Sequence, residues 1–221
     1  RTPLTAIRGY IDLLQVERTN PSDLERRALD RLTSESRRLE RLVTQLLLLD
    51  RIDEEPDDWA EFDLEPLVRE YFLDLQIPPE PRPLNLDLAP SYILGSESQW
   101  RQVLANVVQN IQRHTPPGSP VNVRLDTATD SSGNLLTALD IDDAGPGIPP
   151  ERRSFATQRF TRLDPSRSKA TGGFGLGMSI IASVIQRHGG TIELNDSPLG
   201  GLRLHIQVPA ASEAAVSSAG N

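Results

Sequence analysis

Three polar side chains in the stretch QWRQVLANVVQNIQRH repeat at helical spacing. Asn106, Asn110 and Arg113 lie at i, i+4 and i+7, so one face of a helix would carry all three. Amide oxygens suit the hard cation Mg²⁺, and an arginine one turn further on is placed to neutralise phosphate oxygens. For this helix alone, an ordinary solvated face explains the stripe more simply.

A second stretch, LDIDDAGPGIPPE, places an acidic pair at the expected end of a strand. Gly145 and Gly147 follow Asp143, and the missing Cβ atoms let the backbone approach a ligand closely. A carboxylate at a strand end can accept a hydrogen bond from the exocyclic amine of adenine. Seen in isolation, the stretch is more typical of a plain D-x-G turn.

The third stretch, RFTRLDPSRSKATGGFGLGMSIIASVIQRHGG, is a basic run followed by glycines and an apolar-periodic helix. Its charged and glycine positions are Arg159, Arg162, Arg167, Lys169, Gly172, Gly173, Gly175 and Gly177. A glycine-rich loop that leads into a helix N-terminus presents free N–H groups to phosphate. It is not a Walker A loop, because G-x-x-x-x-G-K-[ST] is absent. Nor is it a dinucleotide fingerprint, because no strand runs directly into it.

Two helices are predicted at the start of the chain, joined by the turn signal Asn20-Pro21-Ser22. Their apolar stripes consist of Leu4, Ile7, Ile11 and Leu14, and then of Ala28, Leu32, Leu39, Leu42, Leu46 and Leu49. The second stripe has heptad spacing. Such a hairpin cannot bury both seams on itself, so pairing with a second copy into a four-helix bundle is the natural completion. A solenoid or spectrin-like spacer explains the periodicity equally well.

The rest of the chain alternates predicted helices and strands. Residues 54–61 are acidic and interrupted by proline, which is typical of a linker, and residues 211–221 form a tail expected to be disordered. The elements expected within 62–210 are helices at 64–75, 97–113 and 178–188, and strands at 84–88, 121–127, 135–142, 191–194 and 202–208. Ser96 with Gln99 matches a capping box for the second helix. Helices and antiparallel strands in one unit imply an α+β layer architecture.

Composition narrows the classes of function. The 221-residue chain has a formal charge of −8 and a pI near 5.0, which argues against a nucleic-acid partner because phosphate neutralisation needs a clustered basic surface. Zero cysteines exclude disulfides, thiolate metal sites and thiol nucleophiles. No run of about 18 uncharged apolar residues exists, so we expect no segment of this chain to span a bilayer.

The order and spacing of the three stretches, behind a heptad hairpin, resemble the transmitter region of sensor histidine kinases, the ATP-driven half of bacterial two-component systems. NVVQNIQRHT is similar to the N box of that family, DDAGPGI to its first glycine box, RFTRLDPSR to its F box and GGFGLGMSI to its second glycine box. RTPLTAIRGYIDLLQ resembles the end of the box that normally reads His-Glu-Leu-Arg-Thr-Pro-Leu-Thr. The resemblance covers nearly the whole chain.

The resemblance implies a fold and a domain division. Residues 1–53 would be the dimerisation and histidine-phosphotransfer hairpin, which forms a four-helix bundle as a dimer. Residues 62–210 would be the ATP-binding catalytic domain, an α+β two-layer sandwich with a mixed sheet of the Bergerat type. A related ATPase of the gyrase and chaperone superfamily, or an interaction module that has lost ATP binding, is the rival interpretation.

The resemblance also implies roles for individual residues around ATP and Mg²⁺. Asn110 and Asn106 would coordinate Mg²⁺, Arg113 and His114 would contact phosphate, and Asp143 would hold the adenine amine. Gly145, Gly147 and Ile148 would lie beside the base. The stretch from Phe160 to Thr171 would form a lid, although Thr157 stands where the family has an aromatic residue before it. The lid and triphosphate contacts would come from Phe160, Arg162, Arg167, Lys169, Thr171, Gly173, Phe174, Gly175, Leu176 and Gly177.

Partners and reaction follow from the same resemblance. The phosphoacceptor histidine would precede Arg1, so we expect this chain to bind ATP without phosphorylating itself. The phosphoryl group would pass to an aspartate in the receiver domain of a response regulator, and Thr2 would orient water for the reverse dephosphorylation. We expect a homodimer, a cytoplasmic location, and anchoring of the full-length protein in the membrane by upstream segments. His188 and His205 are interpreted as structural residues.

Overall fold

The chain divides into two units, Arg1–Arg51 and Ile52–Asn221. The computed structural model describes residues 26, 27, 29, 30, 32–37, 39, 40, 43 and 44 of the first unit, and residues 59–77, 81–158 and 175–211 of the second. The described residues of the first unit are all helical. Leu32 and Leu39 of the predicted heptad stripe are 56% and 49% exposed there, as an apolar seam without its partner would be. The predicted first helix and its turn lie outside the described residues.

The second unit contains seven strands and four α-helices within its described ranges. The strands are β1 (Trp59–Asp63), β2 (Leu84–Leu88), β3 (Tyr92–Ser96), β4 (Val121–Thr129), β5 (Leu135–Asp143), β6 (Thr191–Asp196) and β7 (Leu202–Pro209). The helices are α1 (Leu64–Leu73), α2 (Glu97–His114), α3 (Pro150–Ala156) and α4 (Gly177–Arg187), with a 3₁₀ turn at Asp74–Gln76 after α1.

Five of the strands form a mixed sheet in the order β2-β4-β5-β7-β6, in which β2 pairs with β4 in parallel and the other pairs are antiparallel. Alternate residues of the central strands, such as Val123 of β4 and Leu139 of β5, are 1% exposed. They form the core together with apolar faces of the helices, including Trp100 of α2 and Ile180 of α4, both fully buried. This arrangement confirms the predicted α+β sandwich with a mixed sheet.

Every predicted element within 62–210 is present, with ends shifted by one or two residues. Strands β1 and β3 and helix α3 were not predicted. β1 occupies residues 59–61 of the expected linker and continues to Asp63, and it pairs antiparallel with β3, whose paired residues lie 29 to 37 positions further along the chain. Both strands are only five residues long and prolines lie close by, so their sequences give a weak strand signal. Pairing with residues distant in sequence defines them. Residues 54–58 and 212–221 lie outside the described residues.

The predicted capping box at the start of α2 is only half confirmed. The Ser96 hydroxyl accepts a hydrogen bond from the Gln99 N–H at 3.2 Å. The reciprocal bond is wrong, because the Ser96 N–H instead donates to Nε2 of His188 at 3.1 Å. Within the described part of the chain, the buried Oε1 of Gln99 has no hydrogen-bond partner.

Candidate functional site

Asp143, the last residue of β5, has one carboxylate oxygen fixed by the backbone. Its Oδ1 accepts hydrogen bonds from the N–H of Gly145 at 2.8 Å and from the N–H of Leu202 at 3.1 Å. No donor among the described residues is bonded to Oδ2. The carboxylate is therefore held in one orientation with an oxygen left to accept from a ligand.

Glycines allow the chain to close around this carboxylate. A Cβ on Gly201, in the turn between β6 and β7, would lie 2.4 Å from Oδ1 of Asp143 and 2.4 Å from the nitrogen of Gly145. Gly147 has a positive φ of 65°, which favours glycine, and its Cβ would meet the Gly201 carbonyl oxygen at 3.3 Å. The sequence motifs did not point to Gly201 and Leu202, for which the glycine pair just before a predicted strand was the available signal.

The end of α2 packs against the same loop. A Cβ on Gly145 would lie 2.9 Å from Cγ2 of Thr115 and 3.3 Å from the carbonyl oxygen of His114. Buried Arg82 secures this helix end, donating from Nη1 to the carbonyl of Pro116 at 2.7 Å and from Nη2 to that of Thr115 at 3.2 Å. Cations stabilise helix C-termini because the last carbonyls lack helical partners. Arg82 had no signal in the motifs.

The two predicted metal ligands, Asn106 and Asn110, converge on the start of α4. A Cβ on Gly177 would lie 3.2 Å from Oδ1 of Asn106 and 3.5 Å from Oδ1 of Asn110. Asn106 is 4% exposed, and its Nδ2 donates to the Gln102 carbonyl at 2.8 Å, which leaves its oxygen directed at the helix start. Two converging amide oxygens fit a hard cation such as Mg²⁺.

The residues around the start of helix α4 fix the position of the helix end that faces these asparagines. Gly175 has a positive φ of 71°, and Leu176, the residue that precedes the helix, is 1% exposed. Ser179 Oγ donates to the Leu176 carbonyl at 2.9 Å. The buried leucine anchors the segment, so the N–H groups of the first turn of α4 open beside the asparagines.

Helix α3 holds the far side of the Asp143 loop. Arg153 donates from Nε to the Ile148 carbonyl at 2.9 Å and forms an ion pair with Asp196 at the end of β6. The Arg153 side chain is 17% exposed but that of Asp196 is 81% exposed, so the ion pair is open to solvent and the part-buried bond to Ile148 is the better shielded contact. Arg153 therefore fixes the backbone of Ile148, a residue predicted to lie beside the base, although the sequence motifs did not point to it.

His114 and Asp143 also interact electrostatically. The pKa of His114 lies below its ordinary value, first because the surrounding protein desolvates the ring and then because Arg113 is positively charged. The negative charge of Asp143 opposes this shift by raising the pKa. The balance favours the neutral imidazole near pH 7, which can donate one hydrogen bond and accept another.

The structure thus brings together predicted residues from all three polar stretches of the sequence: Asn106, Asn110 and His114 from the first, Asp143, Gly145, Gly147 and Ile148 from the second, and Gly175, Leu176 and Gly177 from the third. Arg113 lies on the last turn of α2 beside His114. The remaining predicted residues lie outside the described part: Thr2, Phe160, Arg162, Arg167, Lys169, Thr171, Gly173 and Phe174.

Comparison with known proteins shows the family of the chain. Residues 95–212 match the family model described as histidine kinase-, DNA gyrase B- and HSP90-like ATPase, and residues 1–55 match the His kinase A (phospho-acceptor) domain. The chain belongs to the sensor histidine kinases. Together the two matches cover the predicted hairpin and most of the predicted catalytic domain of a two-component transmitter region, so the family interpretation of the sequence is confirmed.

Similar proteins include the probable sensor histidine kinase TcrY of Mycobacterium tuberculosis, 37% identical over 90% of this chain and 41% of the relative. CpxA of Escherichia coli is 32% identical over 95% of this chain and 44% of the relative. The chain spans less than half the length of these curated relatives.

Among solved structures, the mycobacterial sensor histidine kinase MprB has a TM-score of 0.59 at 26% identity and covers 69% of this chain and 97% of its own. Full-length ShkA in complex with AMPPNP has a TM-score of 0.71 at 24% identity, over 96% of this chain and 44% of its own, and shows the shared fold. Within the described ranges, no helix has the length and apolar character needed to cross a membrane.

We predict opposite shifts of the His114 pKa when its two charged neighbours are neutralised. Arg113→Gln should raise this pKa because a nearby positive charge is removed, and Asp143→Asn should lower it further. NMR titration of the ring protons measures both. The folded ring binds its proton less readily than the ring in the unfolded chain. The folded state therefore has its full stability above about pH 6.5 and loses stability as the pH falls below that value. Shifts of the same sign in both variants would contradict the placement of His114 between the two charges.

Proposed function

We propose that this chain is the kinase core of a longer sensor protein, in which it binds Mg-ATP and transfers the γ-phosphoryl group to a histidine that precedes Arg1. The observation that carries the proposal is the fixed Asp143 carboxylate, with Oδ2 left for a ligand, in the unit where two asparagine oxygens face the glycine start of α4. Membership of the ATPase family supports it. Positioning and charge neutralisation account for most catalysis in such transfers, so no nucleophile is needed in the ATP domain.

Asp143 would recognise adenine through its exocyclic amine. Oδ1 already accepts two backbone N–H groups, so Oδ2 is the oxygen that would receive the amine hydrogen. Little side-chain entropy is lost on binding because the carboxylate is oriented beforehand. The backbone of Gly145, Gly147 and Ile148 would lie beside the ring, with Ile148 held by Arg153.

The phosphates would lie between α2 and the start of α4. Asn106 and Asn110 would hold Mg²⁺, which when bound neutralises phosphate charge. Arg113 and neutral His114 would contact phosphate oxygens, and free N–H groups of the first turn of α4 would add donors. We propose the segment from Phe160 to Thr171 as the lid, with Arg162, Arg167 and Lys169 as its cations and Gly173, Phe174, Gly175 and Leu176 closing on the triphosphate.

The acceptor would be a histidine preceding Arg1 in the longer protein, a proposal that rests on the resemblance of RTPLT to the end of the acceptor box. The three histidines of this chain are poorly suited to accept the phosphoryl group. His188 is 6% exposed with both ring nitrogens hydrogen-bonded, His205 is held by Asp140 at 2.7 Å on the sheet, and His114 belongs to the phosphate site.

The hairpin would form a homodimer, and a response regulator would receive the phosphoryl group and be dephosphorylated with the help of Thr2. The complete protein would be anchored in the membrane with this region in the cytoplasm.

Replacing Asp143 by asparagine should weaken Mg-ATP binding. A hydrogen bond to a charged group contributes about 1.5–3 kcal/mol, which corresponds to a roughly ten- to hundredfold higher Kd. Isothermal titration calorimetry measures the Kd for Mg-ATP. Asp87→Asn is the matched control, because the Asp87 side chain on β2 is 80% exposed. Unchanged affinity in Asp143→Asn would place the adenine elsewhere.

The purified 221-residue chain should bind Mg-ATP yet incorporate no acid-labile phosphate from γ-labelled ATP. A version extended upstream through the acceptor box should be phosphorylated. Stoichiometric acid-labile phosphate on the 221-residue chain would contradict the assignment of the acceptor, since one of its three histidines would then be phosphorylated. Absence of Mg-ATP binding would favour the alternative of an interaction module.

A further inference from the structure

His188, the residue that follows α4, uses both of its ring nitrogens inside the protein. Nδ1 lies 2.8 Å from the carbonyl oxygen of Val184, so it must carry a hydrogen and donate. Nε2 accepts the N–H of Ser96 at 3.1 Å. The ring is therefore the neutral Nδ1–H tautomer, and at 6% exposure it is shielded from water.

The bond to Ser96 joins the ends of two helices that run in opposite directions. Ser96 is the N-cap of α2, and His188 is the C-cap of α4. At the other end of the pair, the first residue of α4, Gly177, meets Asn106 and Asn110 of α2. One end of the helix pair thus holds the imidazole contact, and the other end holds the proposed metal and phosphate ligands.

The ring has no room to move sideways. It stacks on Trp59 of β1 with centroids 4.7 Å apart and planes inclined by 29°, and it meets the edge of Trp100 at 5.9 Å. A Cβ added to Gly95 would lie 2.3 Å from Cδ2 of His188. The β3 backbone is therefore in close contact with the imidazole. These contacts fix the position of the ring, and with it the C-terminal end of α4.

We propose that His188 is a positioning residue of the nucleotide site, which sets the register of α4 on α2 and so fixes where Gly177 meets Asn106 and Asn110. This inference rests on the proposed Mg-ATP site. Helix α4 is 11 residues long, or roughly 16 Å at about 1.5 Å per residue, so His188 acts without touching the ligand. A shift of α4 along α2 would separate the phosphate-binding N–H groups from the asparagine oxygens while leaving Asp143 in place.

Two substitutions separate the hydrogen bond from the ring packing. His188→Phe keeps an aromatic ring against Trp59 but removes the acceptor for the Ser96 N–H and the donor to the Val184 carbonyl. His188→Gln loses the ring but can place an amide oxygen near the position of Nε2. His205→Phe, which removes a hydrogen-bonded imidazole from the sheet, is the matched control. The Kd values for Mg-ATP and for adenosine, which lacks phosphates, are measured by NMR titration at a temperature where melting curves show each variant folded.

We expect His188→Phe to raise the Kd for Mg-ATP by roughly two- to thirtyfold, the range for residues that act on a site through packed elements. The Kd for adenosine should stay constant, because adenosine reaches only the Asp143 end. His188→Gln should recover most of the Mg-ATP affinity, and His205→Phe should retain all of it. A lowered melting temperature with an unchanged Mg-ATP Kd in His188→Phe would overturn the proposal, as would an equal loss of adenosine and Mg-ATP binding.

Gly95→Ala provides a second variant should His188→Phe fail to fold, since it displaces the ring while keeping both of its nitrogens. Gly95→Ala should weaken Mg-ATP binding and leave adenosine binding unchanged, and unchanged Mg-ATP binding in folded Gly95→Ala would count against the proposal.

If the unmodified chain fails to bind Mg-ATP, the proposed function and this inference both fall. If the unmodified chain binds and the folded variants bind equally well, only this inference falls.

Discussion

The close approach of three backbone segments around the Asp143 carboxylate is the constraint on which the site depends. The loop after β5, the turn before β7 and the end of α2 meet at distances where a Cβ on Gly145 or Gly201 would collide with a neighbour. Core-like packing does not yield to such an atom without backbone shifts. The two glycines therefore let the N–H groups of Gly145 and Leu202 reach Oδ1. Without them, the carboxylate would lose its fixed orientation.

An acidic protein can bind a polyanion here because the donors are local. The formal charge of the chain is −8, and the described part of the site offers Arg113, neutral His114 and the first turn of α4 in place of a broad basic surface. Backbone N–H groups at a helix start carry partial positive charge without adding a titratable group. Amide oxygens complement them, since Asn106 and Asn110 can bind a cation without contributing negative charge of their own.

Sequence patterns predicted the parts of the fold that depend on local chemistry. The helical period located α2 and α4, two strand-like runs located β4 and β5, and the motif spacing selected Asn106, Asn110, Asp143 and Gly177. The features that the patterns missed depend on contacts between residues far apart in the sequence. Ser96 signalled its helix start correctly, but the acceptor of its backbone N–H is His188, 92 positions away, and not the Gln99 side chain. Gly201 and Arg82 were missed for the same reason, because their role arises only where the folded chain meets itself.

The most direct test of a site shared by β5, α2 and α4 is an NMR titration of the isotopically labelled chain with Mg-ATP. If β5, α2 and α4 share one nucleotide site, the largest shift changes will occur at the side-chain amides of Asn106 and Asn110 and at the backbone amides of Gly145 and Gly177. Resonances around the Asp140 and His205 pair should stay in place. Changes confined to that pair, with the asparagine amides unmoved, would show that the nucleotide binds elsewhere.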